Sequence, residues 1–293
     1  MTFSITFFVV LITTVDVKTN RLISEKDKQK IFVVCACIFI SALCEYIGKK
    51  TDGASVAYIG LHCTAKFIEF CISPCIGIAA ANAYGKMKKK KLMLGLLAVH
   101  ALFELSVLFF QYIFWIDENN VYHRENFYWI YITVFVITIL YCYISIIAGN
   151  KRFLTNLGFV DILILIFLSF GIGVQMVYSY ITVDFMCVSI GNFFLYHYYG
   201  NIINQIDVTT RLLNRRCFKR KIENIRSHAC VLFFDVNNFK IINDTFGHAE
   251  GDICLANVAS IILSVYGKYG QCYRIGGDEF CVILQKILIN SKV

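Results

Sequence analysis

Three acidic residues near the end of the chain have a setting suited to chemistry. Asp235 closes the apolar run ACVLFFDVNNF (229–239), while Asp278 and Glu279 stand side by side in RIGGDEF (274–280). A carboxylate that ends a buried strand can meet a ligand or a metal at a sheet edge; its common alternative is to cap the next turn. If the strands at 229–235 and 271–275 are neighbours, Asp235 and Asp278 face each other across that edge. Two carboxylates with an open side suit one or two Mg²⁺ ions holding a nucleoside triphosphate. Gly276 and Gly277 would let backbone approach phosphates closely, and Lys240 offers a cation nearby. Asn243 and Asp252 carry the amide and the acceptor needed to read the edge of guanine. Taken alone, Gly-Gly-Asp-Glu is equally a plain turn.

Local patterning supplies the elements that would position these residues. QCYRI (271–275) and FCVIL (280–284) are short apolar strands flanking the turn, which makes a hairpin. Phe239, Ile242 and Phe246 recur at helical spacing, which puts Lys240, Asn243 and Asp244 off the apolar face. AEGDICLANVASIILSVYG (249–267) reads as an amphipathic helix, and the polar, basic stretch 200–227 as a short helical link.

Residues 1–199 are a different kind of sequence. The chain is 58% hydrophobic and 16% charged with one proline, and its mean hydropathy of +0.63 exceeds what a soluble domain can hide. The expected architecture is a multi-pass α-helical membrane bundle (1–200) followed by a partial α/β domain (201–293). Seven spans are expected, at 2–15, 31–47, 54–83, 92–116, 127–149, 157–179 and 183–199. Alternate connectors hold twelve Lys/Arg (16–30, 86–91, 150–152) against three (Lys49, Lys50, Arg124), which predicts an external N-terminus and a cytoplasmic C-terminal domain. The first residues do not read as a cleavable signal peptide. A net charge of +8 in such a protein is no argument for a nucleic-acid partner; lipid is the expected surroundings. The thirteen cysteines lie mostly in apolar runs and show no disulfide framework or zinc spacing. Glu45, His62, Lys66, Glu69, His100 and Glu104 fall inside spans, either as internal pairs or around a polar cavity for a small molecule.

DVTTRLLNRRCF (207–218), FFDVNNFKIINDTFGHAEGD (233–252) and RIGGDEF (274–280) together closely resemble the GGDEF domain of bacterial diguanylate cyclases, from Asp207 to about Leu284. The preceding region is similar in topology to the seven-helix sensor regions that carry such outputs. The resemblance implies a palm-like, nucleotide-cyclase-like fold in a bacterial inner-membrane protein. Two domains of a homodimer would face one another, each holding one GTP and Mg²⁺ (or Mn²⁺), and condense them into cyclic di-GMP with release of pyrophosphate. By motif position Asp235, Asp278 and the Val236 carbonyl would be metal ligands, with Asp278 and Glu279 at the reacting end. Asn238, Phe239, Lys240, Gly276 and Gly277 would line the phosphates, and Asn243 and Asp252 would bind guanine. His248 matches a family position where a structural role is expected.

Four departures carry their own expectations. Asn237 stands where a second Asp is frequent, and Arg211 where the family usually turns on a glycine. Gly267-Lys268-Tyr269-Gly270 replaces the Arg-x-x-Asp of the product-inhibition site, so feedback through that site should be absent. From 207 to 293 there are 87 residues, about half a family domain, and KILINSKV (286–293) leaves the pattern. The alternative to an active cyclase is therefore a catalytically inactive receptor that binds GTP weakly or not at all.

Overall fold

The computed structural model describes residues 1–150, 164, 166–171, 173–175, 178, 181–226 and 228–284. These divide at Gly200 into two units.

The first unit is helical. Its elements are α1 (Thr2–Thr19), α2 (Glu25–Thr51), α3 (Ile59–Tyr84), α4 (Lys90–Phe110), a hairpin of β1 (Phe114–Ile116) and β2 (Tyr122–Arg124), α5 (Tyr128–Asn150) and α6 (Asp184–Ile203). Ser24 caps α2, its hydroxyl accepting from the Asp27 amide at 3.2 Å. Glu25 and Asp27 in the first turn and Lys49 and Lys50 in the last oppose the helix dipole. α3 packs closely on α5 because Gly77 and Gly85 have no side chain; a Cβ at either would run into the backbone of Thr138 or Ser145.

Among the described residues, five helices are long and apolar enough to cross a membrane: Thr2–Thr19, Glu25–Thr51, Val56–Tyr84, Tyr128–Ala148 and His248–Tyr266. The last belongs to the second unit, so the expected count of seven is not confirmed. The span expected at 92–116 is helical only to Phe110; the chain then reverses through Gln111 (φ 52°) into the β1–β2 hairpin. Its apolar residues Ile113 and Phe114 are buried against Phe70 and Tyr131, so their hydropathy reflects a protein core and not lipid. The span expected at 157–179 lies largely outside the described residues. The one expected at 183–199 is α6, whose Asn192, Tyr196, His197, Tyr198 and Tyr199 keep it out of the membrane-crossing class.

Connectors gather by charge at the two ends of these helices. At one end the Gly53 amide donates to the Asn120 carbonyl at 2.8 Å, the Tyr122 amide to Asp52 Oδ1 at 2.9 Å, and Thr2 Oγ1 lies 3.5 Å from Thr182 Oγ1. At the other, Asn20 Nδ2 donates to the Tyr196 hydroxyl at 3.2 Å and the Lys86 amide to the Ser145 carbonyl at 3.0 Å. The basic stretches 16–30 and 86–91 both belong to this second end.

The second unit contains α7 (Arg215–Glu223), β3 (Cys230–Asp235), α8 (Phe239–Phe246), α9 (His248–Tyr266), β4 (Gly270–Arg274) and β5 (Glu279–Leu284). The sheet is antiparallel in the order β3-β5-β4. The strands at 229–235 and 271–275 are thus not neighbours, because β5 lies between them. As the central strand, β5 is buried on both faces. Phe280 and Val282 pack with Leu255, Ala259 and Ile262 of α9, while Cys281 and Ile283 pack with Cys217 and Tyr273. This two-sided burial is why FCVIL is apolar without alternation. Phe246, expected on the apolar face of α8, is 68% exposed.

Arg211 adopts φ 58°, the left-handed region that a glycine would occupy without strain. Relief of that strain outweighs the added freedom of the unfolded chain. Arg211→Gly should therefore stabilise this unit by about 0.5–1 kcal/mol. The check is the thermal midpoint of the full chain; a lower midpoint in the variant would contradict this account.

Candidate functional site

The register of β3 against β5 places Asp235 directly opposite Glu279, not Asp278. Asp278 comes next to the same corner through its backbone, its carbonyl accepting from the Val236 amide at 3.3 Å. The hairpin tip closes when the Glu279 carbonyl accepts from the amides of Ile275 (2.9 Å) and Gly276 (3.3 Å). Asp235 and Glu279 are exposed and Asp278 is half-buried. None of the three carboxylates has a salt bridge or a hydrogen-bond donor among the described residues. Asp235 and Glu279 paired across the strands, with Asp278 next in the chain and none of them neutralised, give this corner a negative potential that attracts a cation.

A clamp that sequence reading did not identify as part of the site fixes the tip. Arg274 donates from Nε (3.2 Å) and Nη2 (2.7 Å) to the Gly277 carbonyl, and from Nη1 to Asp207 Oδ1 at 3.0 Å. Asp207 also accepts from the Thr210 amide (2.9 Å) and hydroxyl (2.7 Å). Burial raises the pKa of this carboxyl, but the Thr210 and Arg274 bonds outweigh it and hold the group below the ordinary Asp value. Both residues lie in the matched motif stretches. Their opposite charges, each beside a turn, were the available signal.

After Asp235 the chain turns sharply. Asn238 takes φ 56° and its carbonyl accepts from the amides of Ile241 (2.9 Å) and Ile242 (3.4 Å), starting α8. The Phe239 amide donates to the Val236 carbonyl at 3.2 Å, which leaves that oxygen one lone pair. The amides of Asn237, Asn238 and Lys240 donate to no group among the described residues, and the Lys240 side chain is exposed. A strand end followed by open amides at a helix start, with a lysine beside them, is an anion cradle.

The two residues expected to read guanine come from the next corner. Gly247 (φ 87°) separates α8 from α9. The Asn243 side-chain oxygen lies over Gly251, filling the place of a Cβ there, with the Phe239 ring alongside. Asp252 follows Gly251 and is exposed. Asn243 is thus half-buried between the helices, not free on the polar face. His248, expected to be structural, opens α9 exposed and with no hydrogen bond among the described residues.

Gly276 leaves room for a catalytic candidate. Any Cβ there meets the carboxylate of Glu279, which folds back over the turn. That carboxylate is the far end of a flexible side chain, so Gly276→Ala should change stability by under about 1 kcal/mol while displacing Glu279. Activity assigned to Glu279 should fall at least about tenfold, measured as turnover beside the thermal midpoint. Unchanged turnover would separate Glu279 from the chemistry.

No three or more His, Cys, Asp and Glu side chains among the described residues form a cage for a metal. The donors at this corner still fit Mg²⁺, which takes one or two carboxylates and completes its shell with waters and phosphate oxygens. Asp235, Asp278 and the Val236 carbonyl would be the protein's share.

Residues 204–292 match the family model described as "Diguanylate cyclase, GGDEF domain". The chain is 39% identical over 93 residues to diguanylate cyclase DgcN of Escherichia coli K12, covering 30% of this chain and 23% of that protein. It is 37% identical over 93 residues to a diguanylate cyclase of Vibrio cholerae, covering 29% of each. It is also 42% identical over 81 residues to cyclic di-GMP phosphodiesterase PdeB of Shewanella oneidensis, covering 27% of this chain and 10% of that one. The chain therefore spans less than a third of the length of each of these relatives.

Proposed function

We propose that the GGDEF segment is the output of a membrane-bound diguanylate cyclase, which condenses two GTP into cyclic di-GMP and two pyrophosphates. The observation that carries this reading is the meeting of Asp235 with Glu279 and Asp278 beside open backbone amides and Lys240. Carboxylates for a metal lie next to amides for phosphate, as nucleotidyl transfer requires. The amides of Asn237, Asn238 and Lys240 and the Lys240 ammonium hold the phosphates. Asn243 and Asp252 orient the guanine. Asp235 and Asp278 would hold Mg²⁺ or Mn²⁺, which would offset charge on the triphosphate. Glu279 receives the proton of the attacking 3′-hydroxyl or orders the groups around it.

Each domain binds one GTP, so a second copy of the chain completes the reaction. The basic connectors 16–30 and 86–91, brought to one end of the helical unit, support a cytoplasmic placement of that end and of the GGDEF segment in a bacterial inner membrane. The helical unit then acts as the sensor.

The test is cyclic di-GMP production from GTP and Mg²⁺ by membranes containing the full chain, with Asp278→Ala as control. Product above the control supports the cyclase. None from protein shown to be inserted favours the second reading, a receptor with a non-catalytic GGDEF segment. The match to a protein named as a phosphodiesterase gives that reading its ground, since likeness in this segment is shared by proteins of different activity.

A further inference from the structure

At the end of the helical unit that gathers the α2–α3 turn, the hairpin and Thr182, a polar cavity of about 230 Å³ opens among Glu45, Lys49, Asp52, His62, Lys66 and Tyr122. A second hollow of about 290 Å³ shares Glu45, Lys49 and Thr182 with it. Each is below the roughly 300–1,000 Å³ of drug-sized sites, so the occupant is small.

The polar groups are held in place from behind. Lys66 Nζ pairs with Glu69 at 3.0 Å and lies 5.1 Å from the centre of the Tyr122 ring. Glu45 Oε1 accepts from Gln175 Nε2 at 3.2 Å, and Asp52 Oδ1 from the Tyr122 amide. Asn120 fixes the histidine. Its Nδ2 donates to the Thr51 carbonyl at 2.6 Å, so its Oδ1 accepts from His62 Nδ1 at 3.0 Å. In the neutral ring, Nε2 is then an acceptor, and it has no partner although His62 is fully buried. Pairing within the bundle alone would leave neither an open cavity nor an unmet acceptor there.

We propose that this cavity binds a small zwitterion of amino-acid size. Its ammonium goes to the Glu45 carboxylate and His62 Nε2, and its carboxylate to Lys49 and Lys66. A cation alone would meet the two lysines, and an anion alone would meet Glu45 and Asp52; a ligand carrying both charges satisfies both walls. The inference concerns binding, so it stands apart from the cyclase reading.

The experiment uses the full chain in lipid nanodiscs, with thermal midpoints and calorimetry against the twenty standard amino acids, n-butylamine and butyrate. At least one amino acid should bind saturably and raise the midpoint, while the amine and the acid at equal concentration do not. Lys49→Gln, at an exposed position, and Glu45→Gln should each weaken that binding by about tenfold, one charge-assisted contact. Binding by no amino acid overturns the proposal. So does equal binding of butylamine or butyrate, or undiminished affinity in Lys49→Gln.

Discussion

On the proposed cyclase reading, replacing Asp235 by Asn should lower cyclic di-GMP production from GTP by about a thousandfold and leave the thermal midpoint unchanged or slightly raised. The loss follows from the position of the carboxylate at the end of β3, where it is exposed and engaged by no cation of the protein. A group in that condition contributes to stability chiefly by repulsion. Asp235 faces Glu279 directly across the strands, and like charges so placed cost about 0.2–1 kcal/mol. Asparagine removes the repulsion and keeps the shape, but it supplies a poor ligand for a hard cation. A loss of about 4 kcal/mol in the transition state corresponds to the stated factor. The measurement pairs turnover in membranes with the midpoint of the purified full chain. Full turnover in the variant would remove Asp235 from the metal site; a midpoint lowered by several degrees would make it a structural residue. A more stable, inactive variant is the signature of a functional group whose cost is borne by the fold.

What the sequence revealed and what it hid divide by range. The strands β3, β4 and β5 and the helices α8 and α9 were legible from local period: α9 buries Gly251, Leu255, Ala259 and Ile262 at helical spacing, as its pattern required. The stretch 200–227, expected as one short helical link, instead ends α6 at Ile203 and passes through turns before α7 (Arg215–Glu223), a separate helix that the sequence pattern did not mark. The pairs expected within single helices are present, Lys66 with Glu69 at 3.0 Å and His100 with Glu104 at 3.5 Å, because neighbours three and four apart share a face. Sheet order was not legible, since it depends on pairing between strands distant in the chain. Composition did not separate the strands either: Cys230–Phe234 of β3 is as continuously apolar as Phe280–Leu284 of β5, yet β3 leaves Phe233 67% exposed. The β1–β2 hairpin was hidden for a different reason. Its Ile113 and Phe114 continue the apolar run of α4, and hydropathy cannot separate residues that face lipid from residues that face Phe70 and Tyr131. The Arg274 clamp escaped notice because its partner Asp207 is 67 residues away.

That clamp carries the second large effect. Arg274→Ala should lower the stability of the second unit by about 2 kcal/mol and turnover by about a hundredfold. Arg274 is a positioning residue. Three of its nitrogens tie the carbonyl of Gly277, at the hairpin tip, to the Asp207 turn where the unit begins. Side-chain exposures of 15% for Arg274 and 25% for Asp207 put the pair between a surface ion pair and a fully buried one, hence the intermediate magnitude. Arg274→Lys should fall between wild type and alanine, because an ammonium cannot span both partners as the guanidinium fork does. The sign with pH is fixed by Asp207, whose folded pKa is depressed below its unfolded value of about 3.9. Its contribution is therefore present above pH 4 and disappears as pH falls through the folded pKa. The gap in midpoint between wild type and Arg274→Ala should be widest near neutrality and shrink below pH 4. A gap independent of pH would mean that Arg274 acts by packing alone. Equal midpoints with turnover intact would mean that the tip holds its shape without the clamp, leaving the β3–β5 register to place Asp235 beside the two acids of the turn.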